Sequence, residues 1–386
     1  MKKFCSALTC AAALVLNVAS SNVCAQVKIG VVNSSTGPGS MIGIPQKNTI
    51  ALLPTRIGDL GIEYILLDDA SDPTAAVTAT KKLINEQHID AMIATTTAPN
   101  SVAMIPFIAD AGVPMVAPVG TIAVIQPMTE QKRWVFKTTQ NDAVVAETLI
   151  AHMAKTGVKT LGLIGTGDPY GENWSTVVSE LSKKYGIKLV ANEKFQRSDT
   201  SVTGQVLKIL TTRPDAVLVA APGGPAVLPQ ATLVDKGYKG KLYQTHGAAL
   251  DAFLKLGGKK VEGTILAASL LLVLDDMPDS NPSKKITQDY VTAYEAKFGV
   301  KPPTFGAQVY DAGLLLNEAI PLATKKAQPG TREFRAALRD ALESTKALVA
   351  SQGTYTMSPT DHCGFDQKGG NELITVKDGK WALLKD

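Results

Sequence analysis

The residues best placed to do chemistry are threonine hydroxyls, one histidine and one tyrosine, each set just after a short β-branched run. Thr95-Thr96-Thr97 closes one such run and precedes a helix expected to begin around Asn100. Hydroxyls and free backbone N–H groups would therefore converge at a helix N-terminus, which suits a carboxylate or another anion, although the same run would also serve as a plain cap. An exposed helix terminus contributes only about 0.3 to 1 kcal/mol, so several hydrogen bonds must add to it. Thr121, after Val113 to Val119, offers a further hydroxyl at the same level.

His246 stands in Gln244-Thr-His-Gly247, after one strand and before a helix, which sets it at the mouth of a cleft. A catalytic histidine needs a nucleophile and an orienting acid, and no G-x-S-x-G elbow or comparable serine accompanies it. Ligand contact is the expectation, and no catalytic residue is assigned. Gly165-Thr-Gly167-Asp-Pro-Tyr-Gly171 invites comparison with a dinucleotide fingerprint, but Tyr170 stands where the third glycine is required. The stretch reads as a turn that presents Tyr170 to a cleft or, alternatively, to the core. Asp275, Asp276 and Asp361 read as structural or solvated loop charges. The adjacent pair His362-Cys363 lacks ligand spacing, so neither a metal nor a cofactor is expected.

The N-terminus sets the compartment for this chemistry. Lys2 and Lys3, the apolar run Ala7 to Val18, and Val23-Cys24-Ala25 read as a secretory signal at residues 1–25, cleaved near Ala25 and placing the mature chain outside the cytoplasm. At about twelve residues the run is short of the roughly 20 that span a bilayer. Ile265 to Leu274, the other long apolar run, is closed by Asp275 and Asp276 and reads as a buried strand or core segment. Cleavage would remove Cys5, Cys10 and Cys24 and leave Cys363 alone, so no intramolecular disulfide is expected. It would also remove two lysines from a formal net charge of +4, which leaves no basic footprint for a nucleic acid. With 386 residues and 45% apolar content, two domains are expected.

Positioning those loops requires a scaffold of βα units. Strands are predicted at Val27–Val32, Glu63–Leu67, Ala91–Thr95, Val113–Ala117 and Trp134–Phe136, then at Leu161–Ile164, Lys188–Ala191, Ala216–Val219 and Lys241–Gln244. Asp72 caps a helix with Pro73 at its first position and Ala76, Val77, Leu83 and Ile84 on one face, ending near Gln87. Later helices are expected from Ala143, Tyr170, Ser201, Ala226 and Leu250, at Ala307–Lys325 and at Thr331–Ser344, before a strand-like tail from Gly353. The polar stretch Thr138–Asp142 suits a crossing between two such series. Two doubly wound α/β lobes place ligands at the carboxyl ends of their strands.

The order and spacing of several short motifs resemble the periplasmic substrate-binding proteins of branched-chain amino-acid type ABC transporters, the type I binding proteins. The resemblance covers nearly all of residues 26–386 and rests on Val27-Lys-Ile-Gly30 with Thr36-Gly-Pro38, Asp68-Asp69, Gly112-Val-Pro114 with Ala117-Pro118, and Phe136-Lys-Thr138. It continues in Tyr170-Gly171, Val261-Glu-Gly263, and Thr304-Phe-Gly306 with Tyr310-Asp311. It implies an α/β fold of two Rossmann-like lobes, a central cleft and three crossing strands, with residues 26–139 plus 270–348 in lobe 1 and 140–269 plus 349–386 in lobe 2.

The same resemblance implies a non-enzymatic, monomeric receptor that passes a small ligand to ABC permease subunits. Its carboxylate-binding serine or threonine falls at Thr96 or Thr97, its next strand-end contacts at Val119 and Thr121, and a loop contact near Met41 or Ile42. Tyr170 matches the second-lobe tyrosine and Phe305 a pocket-lining aromatic. Two positions depart from amino-acid binders. His246 stands where an acid commonly meets the ligand ammonium, and Gly223 or Gly224 replaces an aromatic and would open space. These departures point to an aromatic acid, with a branched-chain amino acid, or an exported sensor without a transport role, as the alternatives.

Overall fold

The computed structural model describes residues 26–365 and 371–385, so the signal assigned to residues 1–25 lies outside the described residues. The first sheet contains β1 (Gln26–Asn33), β2 (Arg56–Ile57), β3 (Leu60–Asp68), β4 (Ala91–Ile93), β5 (Met115–Ala117) and β6 (Val135–Lys137), ordered β2-β3-β1-β4-β5-β6. All neighbours are parallel except the β2–β3 pair. β1 is central and almost continuously buried, as its Val-Lys-Ile-Gly-Val-Val run requires of a strand covered on both faces.

The second sheet begins with β7 (Thr160–Thr166), β8 (Lys188–Phe195), β9 (Ala216–Ala220), β10 (Lys241–Gln244) and β11 (Ile265–Ala268), all parallel. After the short hairpin β12 (Leu348–Val349) and β13 (Thr354–Tyr355), the chain returns to add β14 (Glu372–Lys377) and β15 (Lys380–Leu383) antiparallel at the β11 edge. The architecture is the type I periplasmic binding protein fold, an α/β chain built on two mixed sheets.

Helices α1 (Ser40–Ile50), α2 (Pro73–Asn85) and α3 (Ala98–Ala111) cover the first sheet with α10 (Thr304–Thr324) and α11 (Arg332–Glu343), and α9 (Lys284–Phe298) packs outside them on α1 and α10. Between these groups in sequence, α4 (Asp142–Lys155), α5 (Pro169–Lys184), α6 (Thr203–Thr211), α7 (Val227–Asp235) and α8 (Asp251–Gly257) serve the second sheet. Asp72 caps α2 as its sequence predicts, accepting from the Ala75 N–H at 2.8 Å. None of the described helices is long and apolar enough to cross a membrane.

Three local expectations differ. The stretch that follows the first predicted strand becomes helical from Ser40, and α1 runs on through Pro45 because it packs against α10. Gly43 permits the close approach, since a Cβ there would sit 1.9 Å from the Ser34 carbonyl oxygen. α9 escapes a pattern search because only Thr287, Tyr290 and Tyr294 of its fifteen residues are buried. The apolar run Ile265–Leu274 is two elements: β11 ends at Ala268, and Leu270–Asp276 turns into a 3₁₀ segment.

Among the described residues the chain passes between the sheets at 138–141, 269–283 and 358–365. The crossings are tied together: Lys137 N–H donates to the His362 carbonyl at 2.9 Å, and Tyr355 donates to the Thr138 carbonyl at 2.7 Å. His362 stacks on Phe136 with ring centroids 4.3 Å apart, and Cys363 is buried beside the Thr139 carbonyl. The Asp361 carboxylate accepts from the Cys363 and Gly364 N–H groups in a turn, while Asp275 and Asp276 are exposed. The lobe boundaries given above stand as a proposal. The strands after residue 371 join the second sheet, whereas Ala350, Tyr355 and Met357 pack in the apolar core beneath β1, so the stretch 350–357 sits with the first sheet.

Candidate functional site: the cleft between the sheets

The carboxyl ends of β4, β5, β7, β9 and β10 face a common cleft, which encloses only about 20 Å³ of free space. That is far below the roughly 300–1,000 Å³ of ordinary ligand sites, so the two sides of the cleft are nearly in contact. A groove of about 200 Å³ under Leu271–Asp276 and against Trp381 is larger. The strand-end cleft is the better candidate because both sheets converge on it, at the position where open α/β sheets bind ligands.

Of the residues expected from sequence, Ile42, Thr96, Val119, Tyr170, His246 and Phe305 line this cleft. Thr95 does not, because its hydroxyl turns to Ser34 at 2.9 Å, and Ser34 in turn bonds Asp69 at 2.7 Å. Thr97 is the N-cap residue of α3, yet its side chain makes no capping bond; its Oγ1 is buried without a protein partner. It faces an adjoining opening of the cleft with Asn100, whose amide is likewise buried and unpaired. Helix α3 begins at Ala98, two residues before the expected start.

Thr121 is not among the lining residues. It donates to the Pro169 carbonyl at 3.4 Å and accepts from Ala123 N–H, so it links the two sides instead of facing the cavity. Met41, Gly223 and Gly224 also fall outside the lining. A Cβ on Gly223 would lie 3.3 Å from Ile42 and one on Gly224 would lie 3.2 Å from Met41. The room those glycines were expected to open for a ligand is therefore filled from the opposite side of the cleft by Ile42 and Met41.

Asp168 positions the second side. It caps α5, accepting from the Tyr170 and Gly171 N–H groups at 2.9 and 3.2 Å, and pairs with Arg197 Nε at 2.5 Å. Burial alone would push the Asp168 carboxyl up; the adjacent guanidinium and the backbone donors overcome it and hold the carboxyl below its usual range. Arg197 thus keeps Nη2 buried, unpaired and at the cleft. Tyr170 donates to Thr245 Oγ1 at 2.7 Å, and burial keeps its hydroxyl protonated.

His246 is buried within the cleft wall, not exposed at its mouth as expected from sequence. Burial and the Lys137 ammonium pull its pKa down to about 3, so the imidazole is neutral at physiological pH. Its Nε2 lies 3.8 Å from Asp142 Oδ1, beyond hydrogen-bond length, and its Nδ1 has no partner. The acid that the sequence failed to offer His246 is therefore supplied by the first residue of α4. Among the described residues no hydroxyl or thiol hydrogen-bonds His246 Nδ1. Gly120 is required here: a Cβ would sit 2.9 Å from His246 Nε2 and 3.0 Å from both Asp142 Oδ1 and the Tyr170 ring.

Sequence reasoning missed Gly120, Thr139, Arg197, Asp142 and Gln308. Arg197 follows β8, a strand end whose loop went unexamined, and Gln308 lies one helical turn beyond Phe305 on α10, a spacing that could have flagged it. Four lining residues, Thr139, Arg197, His246 and Gln308, each carry a buried polar atom without a partner in the protein. Buried polar groups are ordinarily paired, so this concentration marks a place for a polar ligand. Among the described residues no three His, Cys, Asp or Glu side chains are grouped to hold a metal ion.

Comparison with known proteins agrees with this geometry. A family model described as periplasmic binding protein matches residues 26–367. An extracellular ligand-binding receptor from Rhodopseudomonas palustris HaA2 is 43% identical, with a TM-score of 0.90 over 93% of this chain and 100% of that one. The leucine-, isoleucine-, valine-, threonine- and alanine-binding protein of Pseudomonas aeruginosa is 23% identical over 89% of this chain and 86% of its own length. An ABC transporter solute-binding protein from R. palustris, solved with benzoate, shares the fold at 20% identity, with a TM-score of 0.78 over 93% and 95% of the two chains. With two linked α/β sheets, a polar cleft at their facing strand ends and a family match across nearly all the described residues, the chain belongs to the periplasmic binding protein family.

Proposed function

We propose that this protein is an extracytoplasmic solute receptor of an ABC importer, which captures a small carboxylate, preferentially an aromatic acid, and delivers it to a membrane permease. The observation that carries the reading is the charge of the cleft lining. It includes Arg197 and the N-terminal turn of α3, and among the described residues no aspartate or glutamate. A carboxylate would be held by Thr96 or Thr97, the free first-turn N–H groups and Arg197 Nη2. Ile42, Val119 and Phe305 offer apolar walls for a ring, and neutral His246 with Gln308 offers partners for a polar substituent. The solved benzoate complex supports the reading to the extent that the fold accommodates an aromatic carboxylate.

A ligand spanning the cleft would favour the closed arrangement, in which Ile42 meets Gly223 and Met41 meets Gly224. Differential affinity for that arrangement is what a permease would read. A second reading is an amino acid, in keeping with the amino-acid-binding relative. Thermal unfolding in the presence of benzoate, 4-hydroxybenzoate and hydroxycinnamates, against leucine, isoleucine and valine, separates the two. A ligand at a hundred times its dissociation constant stabilises by about 2.7 kcal/mol. Stabilisation by the amino acids alone would reject the aromatic reading.

A further inference from the structure

We infer that Asp142 is a positioning residue for ligand recognition: one layer behind the cleft wall, it fixes which nitrogen of His246 carries the proton, and so whether the cleft presents the ligand with an acceptor or a donor. The inference rests on the reading that His246 meets the ligand. Asp142 is completely buried and is not itself a lining residue. Its Oδ2 accepts from Asn173 Nδ2 at 2.5 Å, while Oδ1 has no hydrogen bond and faces His246 Nε2 across 3.8 Å. A Cβ on Gly120 would sit 2.9 Å from Nε2 and 3.0 Å from Oδ1, so the glycine leaves the two groups facing each other. Nδ1 is buried and makes no hydrogen bond within the protein.

A neutral imidazole has one donor and one acceptor nitrogen. With Asp142 ionised, the proton belongs on Nε2, facing the carboxylate, and Nδ1 is an acceptor suited to a ligand hydroxyl. With Asp142 protonated, Nε2 accepts from the acid and Nδ1–H becomes a donor, suited to an ether or carbonyl oxygen. The groups around the pair are Lys137 on β6, Tyr170, Asn173 and Trp174 on α5, and, through Tyr170, Arg197. Lys137 holds its ammonium on the Thr139 and Gln140 carbonyls at 2.6 and 2.8 Å, with Asp361 and Cys363 acting on it from the third crossing. Burial pushes the Asp142 carboxyl up to about 6 against the pull of Lys137, Asn173 and Trp174.

The Asn173 bond makes the pair testable. In Asp142→Asn the amide oxygen takes that bond, so the NH₂ faces Nε2 and moves the imidazole proton to Nδ1. Long-range ¹H–¹⁵N spectra of the imidazoles in residues 26–386, with His246→Gln for assignment, should show the Nε2–H form in the wild type at pH 8 and the Nδ1–H form in Asp142→Asn. The wild type should shift toward the Nδ1–H form as the pH falls through about 6. The same tautomer in both proteins overturns the inference.

Calorimetry supplies the functional arm. The ratio of dissociation constants for 4-methoxybenzoate over 4-hydroxybenzoate should fall about tenfold from wild type to Asp142→Asn. A tautomer change that leaves the ratio alone overturns the role in recognition. Binding of leucine but of neither acid overturns the aromatic reading by itself, and the spectra still decide whether Asp142 sets the proton on His246.

Discussion

Two buried aspartates, Asp142 at the cleft and Asp311 at the crossings, have carboxyls pushed by burial to the same pKa of about 6, yet they are built in opposite ways. Asp311 accepts from Ser351 N–H and Oγ at 2.8 and 2.5 Å, from Gln352 N–H at 3.3 Å, and from Tyr355 at 3.0 Å. Tyr355 also bonds the Thr138 carbonyl, so this acid ties α10 and the stretch 351–355 to the first crossing. Asp142 has one side-chain donor, Asn173, and an oxygen held in reserve. A saturated buried acid fixes structure, whereas an unsaturated one beside a cleft keeps bonding capacity for function.

The largest expected effect tests the saturated side. Asp311→Ala strands the Ser351 and Gln352 N–H groups in the interior, while Tyr355 keeps the Thr138 carbonyl, and should cost at least about 3 kcal/mol in urea unfolding. A smaller loss than that of Asp142→Ala would break the comparison. Next is the stability of Asp142→Asn. The folded pKa of Asp142 lies above its unfolded value, so its ionisation opposes folding; that penalty is absent below the unfolded pKa near 4 and complete above about 6. Asp142→Asn should therefore gain about 1–3 kcal/mol at pH 8 and nothing at pH 4.

His246 works in the other direction. Its folded pKa lies below its unfolded value, so it contributes stability that is complete above about 6.5 and is lost as the pH falls toward 3. In the wild type the two effects oppose each other between about pH 6 and 4, and Asp142→Asn should uncover the acid sensitivity of His246 there. Equal pH dependence in the two proteins would count against this opposition. The smallest effect concerns affinity: Arg197→Gln removes the cleft's charged donor and should weaken benzoate or its hydroxylated relatives by about 2 kcal/mol in calorimetry. Unchanged affinity would remove Arg197 from the site.

Much of the scaffold was legible because its causes are local. β1 shows as a β-branched run broken only by Lys28 and Gly30, Asp72-Pro73 announces α2, and Asp168-Pro169 opens α5 with a cap and a fixed φ at its first turn. Helix α1 was not legible, since Gly43 and Pro45 read as breakers until α10 covers them. The candidate site divides in the same way. Thr96, Val119, Tyr170 and His246 follow strands, and a strand end predicts a place at the cleft. Arg197 and Gln308 reach it from a neglected strand end and from a helix, and Asp142 reaches His246 across more than a hundred residues of sequence.

By itself, the sequence determined the alternation of strand and helix, the caps that start several helices, and the motif order that resembles a binding-protein family, because each depends on neighbours a few positions apart. Only the tertiary structure decided that Met41 and Ile42 fill the space beside Gly223 and Gly224, that Thr121 joins the two sides, and that Asp142 stands behind His246. Those facts depend on how two sheets close on each other. Burial then decides which polar atoms find partners and which are left for a ligand.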